Sequence, residues 1–148
     1  MIVVSIKGGL GNQLFQWAYA YKLSKFHDVF VDRSFYKTQL SNPQITKREF
    51  QLNNILHHPL PEIDNDIYRQ FAQKPTVRID DNFHYTDHHF SSKYNYYIDG
   101  YWQSEKYFID VRNDILNSFD WPVIEETEFV DSCSIHVRRG DYLKWQHV

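Results

Sequence analysis

The sequence predicts an α/β domain followed by the opening strand of a second one. Three observations carry this. A β-branched apolar run leads through a glycine turn into an amphipathic segment and then into another short apolar run, the order of a βαβ unit. Prolines 43, 59, 61 and 75 cut the middle of the chain into short pieces. Near the end, the acidic stretch Glu125-Glu126-Thr127-Glu128 precedes a fresh apolar run, as a link between domains would. The first domain is therefore drawn at residues 1–124 and the linker with the start of the second at 125–148.

Residues 2–6 (IVVSI) have the near-continuous apolar character of a buried parallel strand. Lys7-Gly8-Gly9-Leu10-Gly11 follows, a turn whose glycines are free to take positive φ. Leu10, Leu14, Trp17, Ala18 and Tyr21 then recur at helical spacing, with Gln13, Gln16 and Lys25 directed elsewhere. Residues 28–31 (DVFV) form a second short strand and Asp32-Arg33-Ser34 the loop at its end. In the proline-broken middle, Phe50-Gln51-Leu52 and residues 67–71 read as short helical turns and residues 76–79 as a strand. Residues 96–102 read as strand and turn. Ser104 is placed to cap a helix over residues 105–119, with Phe108, Val111, Ile115, Leu116 and Phe119 on its apolar face and Trp121-Pro122 as its stop. A last strand, residues 132–137, runs straight into Arg138-Arg139-Gly140-Asp141. The chain shows no internal repeat and no low-complexity tract.

With 148 residues, 42% hydrophobic and 18% aromatic, the chain can bury a core. Its net charge of -3 supplies no basic field for nucleic acid or anionic lipid. The single cysteine, Cys133, excludes an intramolecular disulfide, suits a reducing compartment and, lying in an apolar run, is expected to be buried. The first apolar run is too short for a signal peptide or a membrane span, which points to a soluble, cytoplasmic protein. Eleven Tyr, eleven Phe and four Trp suit sugar stacking as well as core packing.

Two glycine-bearing loops hold the chemistry, because ligands of open α/β sheets bind where strands end and helix N-termini point outward. In Gly8-Gly9-Leu10-Gly11-Asn12-Gln13, the backbone could let an anionic or sugar group approach closely, with Asn12 and Gln13 offering amide hydrogen bonds. The same residues also fit a tight βα turn with Asn12 as helix N-cap. The loop is not a dinucleotide fingerprint, since Leu14 stands where the third glycine would be, and no Gly-Lys-Ser/Thr makes it a P-loop. In the second loop, strand alternation puts Ser134, His136 and Arg138 on one face. An arginine there presents a rigid fork that matches phosphate oxygens in a bidentate way. The competing reading is a surface arginine pair held by Asp141 or the acidic linker. The strand-end position beside His136 favours the phosphate site.

Asp64-Asn65-Asp66 has the Asp-x-Asp form used on divalent cations, yet it sits in a proline-broken loop and reads as a solvated turn. The adjacent pairs His57-His58 and His88-His89 diverge on any regular element, which is poor geometry for chelation. No metal site is expected.

Three stretches in order, Gly8-Gly9-Leu10-Gly11-Asn12-Gln13-Leu14-Phe15-Gln16, Gly100-Tyr101-Trp102-Gln103-Ser104-Glu105-Lys106-Tyr107-Phe108 and His136-Val137-Arg138-Arg139-Gly140-Asp141-Tyr142, resemble the family 11 glycosyltransferases, the α-1,2-fucosyltransferases. The resemblance implies a GT-B-type fold, in which residues 1–124 are the acceptor-side Rossmann-like domain and the last strand opens the domain that binds GDP-fucose. It implies inverting, metal-independent transfer of L-fucose from GDP-β-L-fucose to O2 of a galactose in a surface glycan, with no cofactor. Arg138 would bind the donor pyrophosphate, His136 and Arg139 would position it or touch the donor, and Gly8, Gly9, Gly11, Asn12 and Gln13 would face the donor across a cleft. Asp141 is the carboxylate nearest that motif, either acting in catalysis or holding the arginines. The expected setting is lipopolysaccharide or other glycan synthesis at the cytoplasmic face, with peripheral association to membrane-bound acceptors.

Members of the family are about twice as long, and the motifs expected to hold guanine and fucose follow the arginine motif. The chain is therefore expected to be a fragment without transfer activity of its own. Two other classes compete: a non-catalytic carbohydrate- or nucleotide-binding module, and an interaction remnant whose aromatic surfaces self-associate. No motif in residues 38–97, where acceptor contacts are expected, names a sugar.

Overall fold

In the computed structural model the described residues are 1–38, 47–81, 83–121, 133 and 135. Four parallel strands, β1 (Ile2–Ser5), β2 (Val29–Asp32), β3 (Thr76–Asp80) and β4 (Asn95–Asp99), form one sheet in the order β2-β1-β4-β3. The helices are α1 (Leu10–Ser24), α2 (Ser34–Thr38), α3 (Asn65–Phe71) and α4 (Arg112–Leu116). The expected βαβ opening is present: β1 pairs in parallel with β2, with α1 between them in sequence. This is the mixed α/β, parallel-sheet architecture of a Rossmann-like domain.

Alternation along the strands sorts the side chains onto two faces. Ile2, Val4 and Ile6, with Val29, Val31, Tyr96 and Ile98, pack under Tyr19, Ala20 and Leu23 of α1 and against Trp102 and Tyr107. Helix α1 turns another side to a second cluster of Trp17, Ala18, Leu52, Leu56, Ile115 and Phe119. Trp17 meets Phe119 edge-on at 4.9 Å. Such a helix is wrapped on most of its circumference, so its polar residues must also be accommodated. Gln13 and Gln16, expected to point away from the core, are in fact fully buried. Both serve the backbone: Gln13 bonds three main-chain groups, and Lys7 N–H donates to Gln16 Oε1 at 2.8 Å, although Gln16 Nε2 has no partner among the described residues. On the opposite face of the sheet, α3 is tied down where Asn95 Nδ2 donates to the Phe71 carbonyl at 2.7 Å.

Further expectations are corrected. The segment 105–119 is not one helix: 3-10 turns at Glu105–Tyr107 and Ile109–Val111 precede the five-residue α4, and Ser104 makes no side-chain cap. Ile115 and Phe119 are nevertheless buried as the pattern requires, so the apolar contacts survive while the helical hydrogen-bond ladder does not. Asn12 is not the cap of α1. The cap is Gly9, without a side-chain bond, because the helix starts at Leu10. Cys133 is exposed rather than buried. Of the strand expected at residues 132–137, only Cys133 and Ile135 are described. Neither is in a strand, and Ile135 is 83% exposed. The helical turn expected at residues 50–52 lies slightly later, at Leu52–Asn54, and a short helix, Ser34–Thr38, begins at the last residue of the loop expected at Asp32-Arg33-Ser34.

Candidate active site at the carboxyl edge of the sheet

The strands β1 and β4 are neighbours, so the turns that follow them emerge side by side. After β1, Gly8 takes φ +83°, a conformation an L side chain rarely adopts, and a Cβ there would lie 2.7 Å from Asn12 Nδ2. Its carbonyl accepts from Tyr36 Oη at 3.0 Å and Gln13 Nε2 at 3.1 Å. Burial pushes the Tyr36 phenol above its ordinary value, so it remains a hydrogen-bond donor at any physiological pH. Gln13 also donates to the Glu49 carbonyl at 2.8 Å and accepts from Gln51 N–H at 2.9 Å, which commits its amide to the loop's own backbone. Gly9 and Gly11 differ: nothing lies within 4 Å of where their Cβ atoms would be. The approachable surface of this loop is therefore at Gly9, Gly11 and Asn12.

After β4 the chain makes a strained turn. Trp102 is 1% exposed yet has φ +54°, an uncommon state for so bulky a residue. Asp81, beyond β3, holds it there by accepting from the backbone N–H groups of Tyr101 at 3.1 Å, Trp102 at 3.2 Å and Phe83 at 2.8 Å. Gly100 makes room for that carboxylate: a Cβ on it would lie 2.2 Å from Asp81 Cβ. The ring of Trp102 closes an aromatic wall with Tyr19, Tyr107 and His88, in which Tyr19 Oη and His88 Nδ1 are 3.1 Å apart. Burial holds the His88 pKa below the ordinary imidazole value and pushes that of Tyr19 up.

The two turns are joined directly. Gln103 Nε2 donates to Asn12 Oδ1 at 2.7 Å. Lys7 Nζ lies 2.5 Å from Asp99 Oδ1 and 5.3 Å from the centre of the Tyr101 ring. Two of the three stretches that carry the family resemblance thus meet at one edge of the sheet, 91 residues apart in sequence.

The same edge carries a row of acids. Asp80 pairs in register with Asp99, and Ser5 with Asp32, so β2, β3 and β4 all present an aspartate at their ends on the face away from α1. Arg78 answers two of them, reaching Asp80 at 2.8 Å and Asp99 at 2.5 Å, and Lys7 shares Asp99. Asp32 takes its hydrogen bonds from neutral groups, Tyr97 Oη at 2.7 Å and Ser34 N–H at 2.7 Å.

Sequence reasoning does not single out Asp81, Lys7 or Asp99. The only local signal is an Asp-Asp pair just past an expected strand, and it does not say that the second carboxylate turns to a loop twenty residues on. Asp64 serves as the N-cap of α3, accepting from Ile67 N–H at 2.8 Å, and Asp66 pairs with Arg69, so the Asp-x-Asp stretch is a helix start. His136, Arg138, Arg139 and Asp141 lie outside the described residues. Among the described residues no helix is long and apolar enough to cross a membrane.

Comparison with known proteins identifies the family. The family model for Glycosyl transferase family 11 matches residues 42–148. A curated relative, an α-1,2-colitosyltransferase of Escherichia coli, is 26% identical over 163 aligned residues, covering 97% of this chain and 56% of the relative. The chain thus spans a little over half the length of the curated relative it matches. No solved structure matches it. Since the match over residues 42–148 takes in well over half of the sequence, the chain belongs to glycosyl transferase family 11.

Proposed function

We propose that the chain carries the acceptor-side part of a galactoside α-1,2-fucosyltransferase of the GT-B type, which moves L-fucose from GDP-β-L-fucose to O2 of a galactose in a surface glycan. The observation that carries this reading is the family match over residues 42–148, which includes the His136-Val137-Arg138-Arg139-Gly140-Asp141 motif. In the reaction, the bond from the anomeric carbon to the diphosphate oxygen breaks as the acceptor O2 bonds to the opposite face of that carbon, inverting it. The acceptor hydroxyl's proton leaves to a base. Negative charge gathers on GDP while the sugar becomes oxocarbenium-like, and a fixed guanidinium at Arg138 offsets that charge without a metal ion. His136 and Arg139 orient Arg138 or contact the nucleotide, and Asp141 is placed to take part or to hold the arginines. The open backbone at Gly9 and Gly11 faces the nucleotide sugar from the acceptor side.

The relative's name shares the α-1,2 linkage and differs in the sugar transferred, which makes a colitosyl donor the second reading. Titration of GDP-β-L-fucose and GDP-colitose against the 148-residue chain and its Arg138→Ala variant tests both. Binding that is lost on substitution supports a nucleotide-sugar site at Arg138, and the tighter ligand identifies the sugar. Equal binding by the variant sinks the assignment. Because the chain spans 56% of the relative, it is expected to form no α-1,2-fucosylated product from labelled GDP-fucose and a β-galactoside by itself; detectable product would refute that expectation.

A further inference from the structure

The carboxyl end of β2 opens into a cavity of about 500 Å³ on the sheet face opposite α1, between Asp32, Tyr97, α2 and α3. That volume lies within the roughly 300–1,000 Å³ of small-molecule sites. The site described above, at the ends of β1 and β4, does not use it. We propose that this cavity seats the acceptor sugar as a neutral, hydroxyl-rich pyranoside, with its ring on Tyr68 and its hydroxyls donating to Asp32. The inference rests on the glycosyltransferase reading for the presence of a sugar acceptor, and on the cavity for its place.

Charge argues for the class of ligand. The cavity is lined by two carboxylates, Asp32 and Asp64, against one cation, Lys37. A phosphate or diphosphate would be repelled there, whereas an uncharged polyol is not. Tyr68 is 63% exposed on α3, although Phe71, one turn further along, is buried. The lining sets the Tyr68 ring and the apolar side chains of Ile63 and Phe71 beside the polar groups of Asp32, Asn65 and Tyr97, a mixture that suits the apolar face and the hydroxyl edge of a pyranose. The polar side is preorganised. Asp32 receives Tyr97 Oη and Ser34 N–H, one on each oxygen, leaving about two of its roughly four acceptor positions unfilled. Burial and the bond to Asp32 both push the Tyr97 phenol up, so it stays protonated and the carboxylate stays oriented. Asn65 and Lys37 add hydrogen-bond donors at the rim. Helix α2 links this cavity to the glycine turn, since Ser34 and Lys37 line the cavity while Tyr36 bonds the Gly8 carbonyl.

The test is a ¹H–¹⁵N NMR titration of the 148-residue chain with methyl β-D-galactopyranoside, methyl α-D-glucopyranoside and methyl N-acetyl-β-D-glucosaminide. At least one glycoside is expected to shift the amides of Ser34, Asn65 and Tyr68. Tyr68→Ala should weaken that binding about tenfold and Tyr68→Phe by no more than about threefold. Absence of shifts with all three, shifts confined to residues 8–13 and 100–103, or an unchanged affinity in Tyr68→Ala each overturn the proposal. So does GDP shifting the same three amides, since the cavity would then hold the nucleotide. A sugar seated at Tyr68 in a chain whose Arg138→Ala variant binds nucleotide sugar unchanged would keep the cavity assignment and remove the Arg138 assignment.

Discussion

Gly8, in the turn after β1, and Gly11, in the first turn of α1, sit three residues apart, and the structure requires their alanine variants to move stability in opposite directions. At Gly8, φ +83° places an added Cβ in the left-handed region, at a cost of about 1–2 kcal/mol for an L residue. The Cβ would also displace Asn12 Nδ2, 2.7 Å away, and so strain the 2.7 Å bond from Gln103 to Asn12, worth about 0.5–1.5 kcal/mol. Gly8→Ala should therefore destabilise by about 2–3 kcal/mol. Gly11 lies within α1, is exposed and has nothing within 4 Å of its Cβ position, so alanine removes backbone freedom from the unfolded chain and meets no atom. Gly11→Ala should stabilise by about 0.5–1 kcal/mol. Urea unfolding followed by tryptophan fluorescence reads both, and thermal midpoints should separate by several degrees, at about 2–4 °C per kcal/mol for a chain near this size. A Gly11→Ala variant destabilised as much as Gly8→Ala would refute the description of the turn and the helix start. The same variant distinguishes fold from function: if the nucleotide sugar approaches the open backbone, Gly11→Ala binds it more weakly while folding more stably.

Other perturbations follow from the same contacts. Gly100→Ala forces a Cβ to within 2.2 Å of Asp81 Cβ and should cost about 3 kcal/mol or more in urea unfolding, with loss of near-ultraviolet circular dichroism from Trp102; an effect below about 0.5 kcal/mol would contradict the turn geometry. Gln13→Leu keeps the volume but leaves the Glu49 carbonyl and Gln51 N–H without their partner and the Gly8 carbonyl with Tyr36 alone, and should destabilise by about 2 kcal/mol, whereas Gln103→Leu, at an exposed site, should cost under about 1 kcal/mol. His88 is held neutral by burial below the ordinary imidazole value of 6.5, so the unfolded chain binds its proton more readily than the folded one. Stability from this group is complete above pH 6.5 and is lost as pH falls below that value. Unfolding midpoints measured from about pH 7.5 to about 5.5 should decline less steeply in His88→Asn.

The sheet is legible in the sequence and the α4 region is not, for a physical reason. β1, β2 and β4 are short runs rich in β-branched and aromatic residues, and such runs declare themselves without knowledge of their partners. β3, mostly exposed at the sheet edge, is marked instead by the alternation of Val77 and Ile79 with polar neighbours. Residues 105–119 carry apolar spacing that matches a helix, but the spacing only says which side chains face inward. Phe108, Ile115 and Phe119 reach the same core through two 3-10 turns and one short helix, because the chain must stay close to α1 while Phe119 bridges to Leu56. Gln13 and Gln16 mislead for the converse reason. Polarity alone assigns them to solvent, and what reverses the assignment is a set of backbone groups from residues 7, 8, 49 and 51 that only the folded chain brings near.

The row of acids shows where local reading stops. Along the sequence, Asp32, Asp80 and Asp99 are ordinary strand-terminal residues of the kind that begin loops. Register turns two of them into neighbours: Asp80 faces Asp99 directly, a like-charge pair that would disfavour the sheet were it unanswered. Arg78, two positions before Asp80 and so on the same face of the edge strand, bonds both carboxylates, while Lys7 takes the other oxygen of Asp99. The two cations are thus committed to two acids. Asp32, served by a phenol and an amide, keeps part of its hydrogen-bonding capacity beside the cavity on that face. Neutralising Asp99 alone would release Lys7 and leave Arg78 paired with Asp80 only, whereas the bonds to Asp32 come from uncharged groups. Asp32→Asn should therefore weaken glycoside binding with little change in stability, and Asp99→Asn should lower stability with little change in glycoside binding; the reverse pattern would show that the row works as one electrostatic unit.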